Sequence, residues 1–171
     1  MNVNKPNLFP ETTSLRKLYH VLLLGSIIAA VGVALIILLP KVSVATETIT
    51  LHTETGAHKL NVYIADTKEA REQGLMNKKS LGRNDGMLFL YDTTDQHTMW
   101  MKNTYLALDI LFLDSKGHII HIHKNAEPHS TNLISAPLPS KAVLEVAAGS
   151  LDKAKVKNGD RVTYTAFNTD P

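Results

Sequence analysis

The sequence predicts an α+β domain, predominantly β, built as a small curled antiparallel sheet or barrel with one or two short helices and preceded by one N-terminal transmembrane helix. Three observations predict it. Val21 to Leu39 is a run of 19 residues without a charge. The chain after it alternates apolar and polar residues in short stretches divided by turn residues. Only one of those stretches carries helix-capping signals.

The apolar run comes first. At about 1.5 Å per residue it covers roughly 28 Å as a helix, close to the hydrocarbon thickness of a bilayer. Lipid accepts it only as a helix, because a helix satisfies its own backbone groups. Arg16 and Lys17 precede it directly, so residues 1–20 are expected to stay cytoplasmic and the chain after Leu39 to cross. This makes an inner-membrane, single-pass protein with the bilayer as its first partner and the globular part periplasmic or extracellular. Residues 21–39 serve as a transmembrane helix or uncleaved signal anchor, residues 40–48 as a tether and residues 49–168 as the exported domain. Cleavage after Ala45 stays open, since Ser43 and Ala45 place small residues at the required positions.

Charge and cysteine narrow the function. Fourteen of the 18 basic residues and 15 of the 16 acidic ones lie after residue 45, which leaves the exported part at net −1. No basic face argues for nucleic acid. Cysteine is absent, so thiol nucleophiles, redox pairs and cysteine zinc sites are excluded. A domain of this size can stand on its own core without disulfides.

The elements follow in order. Thr48 to Thr53 and Lys59 to Ile64 alternate as half-buried strands do. Asp66 offers an N-cap with Glu69 in capping-box spacing, and the helix from Thr67 to about Gln73 ends at Gly74. Gly86 to Tyr91 and Leu108 to Leu113 are strands. Asp114-Ser115-Lys116-Gly117 turns the chain into a strand from His118 to His123. Pro128 to Pro139 is a surface loop with three prolines, Val143 to Ala147 a strand, and Ser150 to Lys155 a short helical piece. Asn158-Gly159-Asp160 turns into a last strand from Arg161 to Phe167.

Several of these strings together carry a resemblance. They are Gly74–Met76, Gly86–Tyr91, Met99–Thr104 (MWMKNT), Leu108–Ile119, Ala142–Gly149 and Asn158–Asp160. In this order and spacing the chain resembles the domain of unknown function family 192, from about Leu60 to Val162. The resemblance implies a compact, mostly β domain, often behind a signal peptide or anchor. It implies no reaction and no catalytic residues. Many relatives carry cysteines in the loop after the proline matching Pro128, where this chain has His129-Ser130-Thr131-Asn132-Leu133.

The segment from Trp100 to Asp109 is the first place to look for a site. Trp100, Lys102 and Thr104 share one strand parity, if the strand runs that far. Asp109 and Glu145 interrupt apolar runs, and a buried carboxylate costs several kcal/mol unless paired, with Lys102 or Arg161 as the available partner. The functional reading is a pocket in which Met76 and Trp100 form the walls and Lys102, Asn103, Asp109 and Glu145 the polar contacts. The ordinary reading is a hydrogen-bond network that closes the sheet.

Two metal readings compete with it. His97, Met99 and Met101 recur with period two, a set that suits copper. His121 and His123 share a strand face, with His129 or Glu127 to complete a zinc or copper site. The ordinary readings are core methionines and solvated histidines. The basic stretch Lys153 to Lys157 is a solvated face or a contact for anionic lipid or an acidic partner. No resident cofactor is expected beyond copper or zinc. The leading expectation is a non-catalytic envelope module binding a small molecule or a protein partner. Its rivals are a copper- or zinc-binding protein and an enzyme using Asp109 and Glu145.

Overall fold

The computed structural model describes residues 46–167. Among these, no helix is long and apolar enough to cross a membrane. The expected span at 21–39, its cytoplasmic tail and most of the tether lie outside the described residues. The first strand starts before the expected domain boundary, because β1 (Thr46–Thr53) takes up the last three tether positions.

Strands β1 and β2 (Gly56–Ala65) form an antiparallel hairpin around Glu54 and Thr55, paired from Thr46↔Tyr63 to Thr53↔Gly56. The chain then crosses over through α1 (Lys68–Gln73) to β3 (Asp85–Asp95). Thr67, not the neighbouring Asp66, caps α1, its Oγ1 accepting the Ala70 N–H at 3.1 Å. Gly74 ends the helix at φ 48°.

The crossover corrects one expectation. β3 pairs with β2 in parallel, from Asn61↔Asp85 to Ala65↔Phe89, so the sheet is mixed and not wholly antiparallel. A connection of this length with a helix in it returns the chain in the same direction, which a tight turn cannot do. All other pairs in the sheet are antiparallel. Its order is β6-β5-β8-β3-β2-β1-β9, with β5 (Leu108–Leu113), β6 (Ile119–Ala126), β8 (Ser140–Ala147) and β9 (Arg161–Thr163). A small ribbon of β4 (Thr98–Met99) and β7 (Ile134–Ser135) stands apart from it.

The sheet curls until its edges meet. Ile119 N donates to Asp160 O, Gly159 N to Ile119 O and Val162 N to Gly117 O, each at 2.8 Å. Gly117 makes this seam possible: it sits at φ +82°, and a Cβ there would collide with the Val162 carbonyl. Asp114 holds the preceding turn by accepting from Lys116 N and His118 N.

Each face of the sheet carries its own core. The concave face is filled by residues such as Ile49, Leu51, Val62, Leu88, Leu111, Leu144 and Val162. The convex face of β3, β5 and β8 carries Met87, Phe89, Ile110, Phe112 and Val143, which pack against Ala70 and Leu75 of the α1 region and Met99, Met101 and Ala136 of the loops. Neighbouring strand residues point to opposite faces, so this division follows the pleat.

Candidate functional site: a cleft over Glu145

The second core is not sealed. A cleft of about 70 Å³ opens between the end of α1, strand β3 and the 98–104 segment. Glu145 of β8 and Phe89 and Tyr91 of β3 line its depth. Arg71, Leu75 and Met76 come from α1 and the turn behind it. Thr98, Met99, Trp100, Lys102 and Thr104 line the remaining side.

Glu145 is the anomaly. It is 3% exposed and faces Met87 and Ile110 across the ladder. Burial pushes its carboxyl up to about 8, so the group is predominantly neutral at pH 7. Among the described residues no ion pair and no hydrogen bond reaches it. Tyr91 also keeps its proton, pushed up to about 12 by burial, with Arg71 opposing that rise and Glu145 adding to it. Its hydroxyl donates to Met99 Sδ at 3.6 Å. The Arg71 guanidinium lies 5.2 Å from the Tyr91 ring centre and is anchored through Nη1 to Asp66 O at 2.7 Å and Leu90 O at 2.8 Å.

Of the six residues expected to form a pocket, four line this cleft: Met76, Trp100, Lys102 and Glu145. Asn103 stands beside it, its Nδ2 4.0 Å from Met76 Sδ and its carbonyl accepting from Asn77 N at 3.0 Å. Asn103 takes φ 55°. The strand expected to carry Trp100, Lys102 and Thr104 on one face stops at Met99, and from there the backbone bonds to the opposite loop, Met101 N donating to Ser130 O.

Asp109 is not part of the cleft. Its strand parity is that of Leu111 and Leu113 on the concave face, whereas Glu145 shares the convex face with Val143. Asp109 accepts from Asn125 N at 2.8 Å and from Gly149 N at 3.0 Å, which ties the end of β6 to the turn after β8. The geometry therefore does not assemble Asp109 and Glu145 into an acid/base pair. Neither expected cation meets them as an ion pair. Lys102 Nζ lies 5.0 Å from the Trp100 ring centre, and Arg161 Nε donates to Lys116 O.

The metal-ligand candidates are engaged separately. Met99 and Met101 are buried in the second core. His97 stacks on Tyr91 at 3.4 Å. His121 packs against Phe112, and His129 meets the edge of Tyr105 at 4.8 Å. Among the described residues no three His, Cys, Asp or Glu side chains cluster to hold an ion, so His121, His123 and His129 do not form the expected set with Glu127. Lys155 and Lys157 of the basic stretch turn to Glu54, at 3.6 Å and 2.7 Å.

Sequence reading missed Arg71 and Tyr91. Each looked ordinary where it stood, a basic residue in the last turn of a helix and the end of an apolar strand. Only the parallel crossover brings them to one place.

The sequence profile of the domain of unknown function family 192, described as an uncharacterised ACR, matches residues 49–164. The chain belongs to this family. Among the solved structures that share its fold are two proteins. One, from Sinorhizobium meliloti 1021 and provisionally described as a transcription regulator, is 44% identical with a TM-score of 0.70 and covers 72% of this chain and 97% of its own. The other, a protein of unknown function from Novosphingobium aromaticivorans DSM 12444, is 32% identical with a TM-score of 0.70, over 74% of this chain and 90% of its own. No curated protein matches the chain significantly.

Proposed function

We propose that this family member is a non-catalytic, membrane-anchored binding module of the cell envelope, which takes a small ligand into the cleft over Glu145. One observation carries the reading. A carboxyl group 3% exposed lines an open cleft without a hydrogen-bond partner among the described residues. A carboxyl that reaches solvent only through a cleft and meets no protein partner there is open to a partner that arrives from outside. The envelope placement rests on the apolar run at 21–39 and its basic flank.

The description of the Sinorhizobium meliloti protein does not alter this reading. Regulation through DNA contact requires a basic surface for phosphates. The part of this chain after residue 45 carries net −1.

Trp100 is the only tryptophan, so its emission reports on the cleft directly. The full-length protein is screened with a library of small acids, amines and neutral compounds, followed by amide chemical-shift mapping. Saturable shifts at Trp100, Met76 and Glu145 are the expected result. A library that leaves all three unmoved ends the binding reading. For the placement, protease added to intact spheroplasts is expected to digest the domain; protection there contradicts export.

A further inference from the structure

The binding reading leaves the ligand's chemistry open, and the groups around the cleft narrow it. Two cations line it, Arg71 and Lys102, and neither is neutralised. Arg71 commits only Nη1, to two carbonyls, which fixes the guanidinium while Nε and Nη2 carry no bond among the described residues. The Lys102 ammonium rests over the Trp100 ring and forms no ion pair among the described residues. Of the two acids, Glu72 pairs with Lys68 at 3.8 Å on the exposed side of α1, and Glu145 lies deep and neutral at pH 7. The cleft thus offers donors in excess: a guanidinium edge, an ammonium and a carboxyl hydroxyl. Its complement is a group that only accepts, and that carries the opposite charge.

Size and shape narrow it again. About 70 Å³ holds a few water-sized groups, far below the volume of a pocket for a whole cofactor or drug-sized molecule. Only a ligand's head group fits inside. The rest must lie over the mouth, where Trp100 is 44% exposed. A half-exposed tryptophan offers a flat apolar face for stacking.

We infer that the ligand is a small organic carboxylate with a flat apolar body, its carboxylate held by Arg71, Lys102 and the Glu145 carboxyl and its body laid on Trp100. This rests on the binding reading above and goes beyond it in naming the chemical class. The neutral Glu145 matters to it. As a hydroxyl donor it accepts a carboxylate as neighbour, whereas an ionised Glu145 would repel one. Of the other titratable groups at the cleft, Tyr91 stays protonated through pH 9, burial holding its hydroxyl up to about 12; the further charged side chains there are Arg71, Lys102 and Glu72.

The test uses three probes of one shape and different head groups: benzoate, benzamide and benzylamine. Each is titrated into the full-length protein with Trp100 emission as readout. Benzoate is expected to bind at least about tenfold more tightly than either of the others, with Lys102→Met reducing its affinity about tenfold. Its affinity is expected to fall as pH rises through 8, and Glu145→Gln to abolish that fall. If benzamide or benzylamine binds as well as benzoate, the carboxylate inference is overturned and the binding reading stands. If none of the three moves Trp100, the inference is overturned too, and the binding reading falls only with the silence of the whole library. An affinity for benzoate that ignores pH in the wild type removes Glu145 from the head-group contact and overturns the assignment as stated.

Discussion

The two faces of the sheet are built to different standards. The concave face is filled by branched aliphatics around Leu111 and Leu144, and the Asp109 carboxylate at its margin is satisfied by two backbone N–H groups. The convex face holds methionines and aromatics, is covered by a short helix and loops, and keeps a buried carboxyl without a partner beneath an opening. Asp109 pairs with Val146 and Glu145 with Ile110, so the two acids sit one ladder step apart and face opposite ways. The same residue class, in near-identical sequence settings, is a brace on one face and an unfinished contact on the other. Burial alone therefore does not separate structural from functional acids; partner count does.

The largest effect expected from this contrast lies in the concave core. Leu111→Ala removes a side chain that is 1% exposed from that core. It is expected to cost about 4 kcal/mol, read from the urea midpoint. A cost below about 1 kcal/mol would mean that the concave face is as loosely filled as the convex one, and the distinction between the faces would fail.

Asp109→Ala comes next. It leaves the N–H groups of Asn125 and Gly149 without their acceptor, at a cost of about 3 kcal/mol. Ligand binding in the cleft is expected to survive in the folded fraction. Loss of binding with stability unchanged would return Asp109 to the site.

The order of these effects also marks what the sequence could reveal. The strand Leu108–Leu113 is bounded as the apolar run predicts, and the Asp114 turn as its residues predict, because alternation and turn chemistry are local. The parallel pairing of β2 with β3 left no such trace. Alternation is the same whichever way the neighbour runs, so an antiparallel sheet was the natural reading. The 97–104 segment misled for another reason. Its period-two pattern of His97, Met99 and Met101 is real, but the left-handed Asn103 and the bond from Met101 N to Ser130 O take the backbone out of the strand. Asp109 and Glu145 were visible as interruptions of apolar runs. Their separation was not, because it depends on register between strands more than 30 residues apart.

Glu145→Gln sharpens the comparison through pH. The folded-state value of about 8 stands above the 4.5 of an unperturbed glutamate, so between those limits the folded chain holds a proton that the unfolded chain has released. Stability from this group is complete below about 4.5 and declines as pH rises toward 8, the reverse of a salt-bridged carboxylate. Glutamine keeps the shape and never ionises. The variant is expected to match the wild type at pH 4.5 and to exceed it by about 2 kcal/mol at pH 6. Parallel stability curves across that range would show that Glu145 has a counter-charge, and the contrast with Asp109 would vanish.

The smallest effect on stability is expected at the rim. In the ribbon of β4 and β7, Thr98 pairs with Ser135 and Met99 with Ile134, so Trp100 follows opposite Leu133. Met99 and Ile134 turn inward to the second core, while Trp100 and Leu133 remain 44% and 74% exposed. A large aromatic left half in water contributes little to the fold, and Trp100→Ala is expected to shift the urea midpoint by less than about 1 kcal/mol. Its effect on benzoate affinity, measured by calorimetry because the variant has no fluorescent reporter, is expected to be about three- to tenfold. A fold that loses more than about 2 kcal/mol with affinity unchanged would make Trp100 a lid on the second core, and would leave the cleft without the surface on which a ligand's body rests.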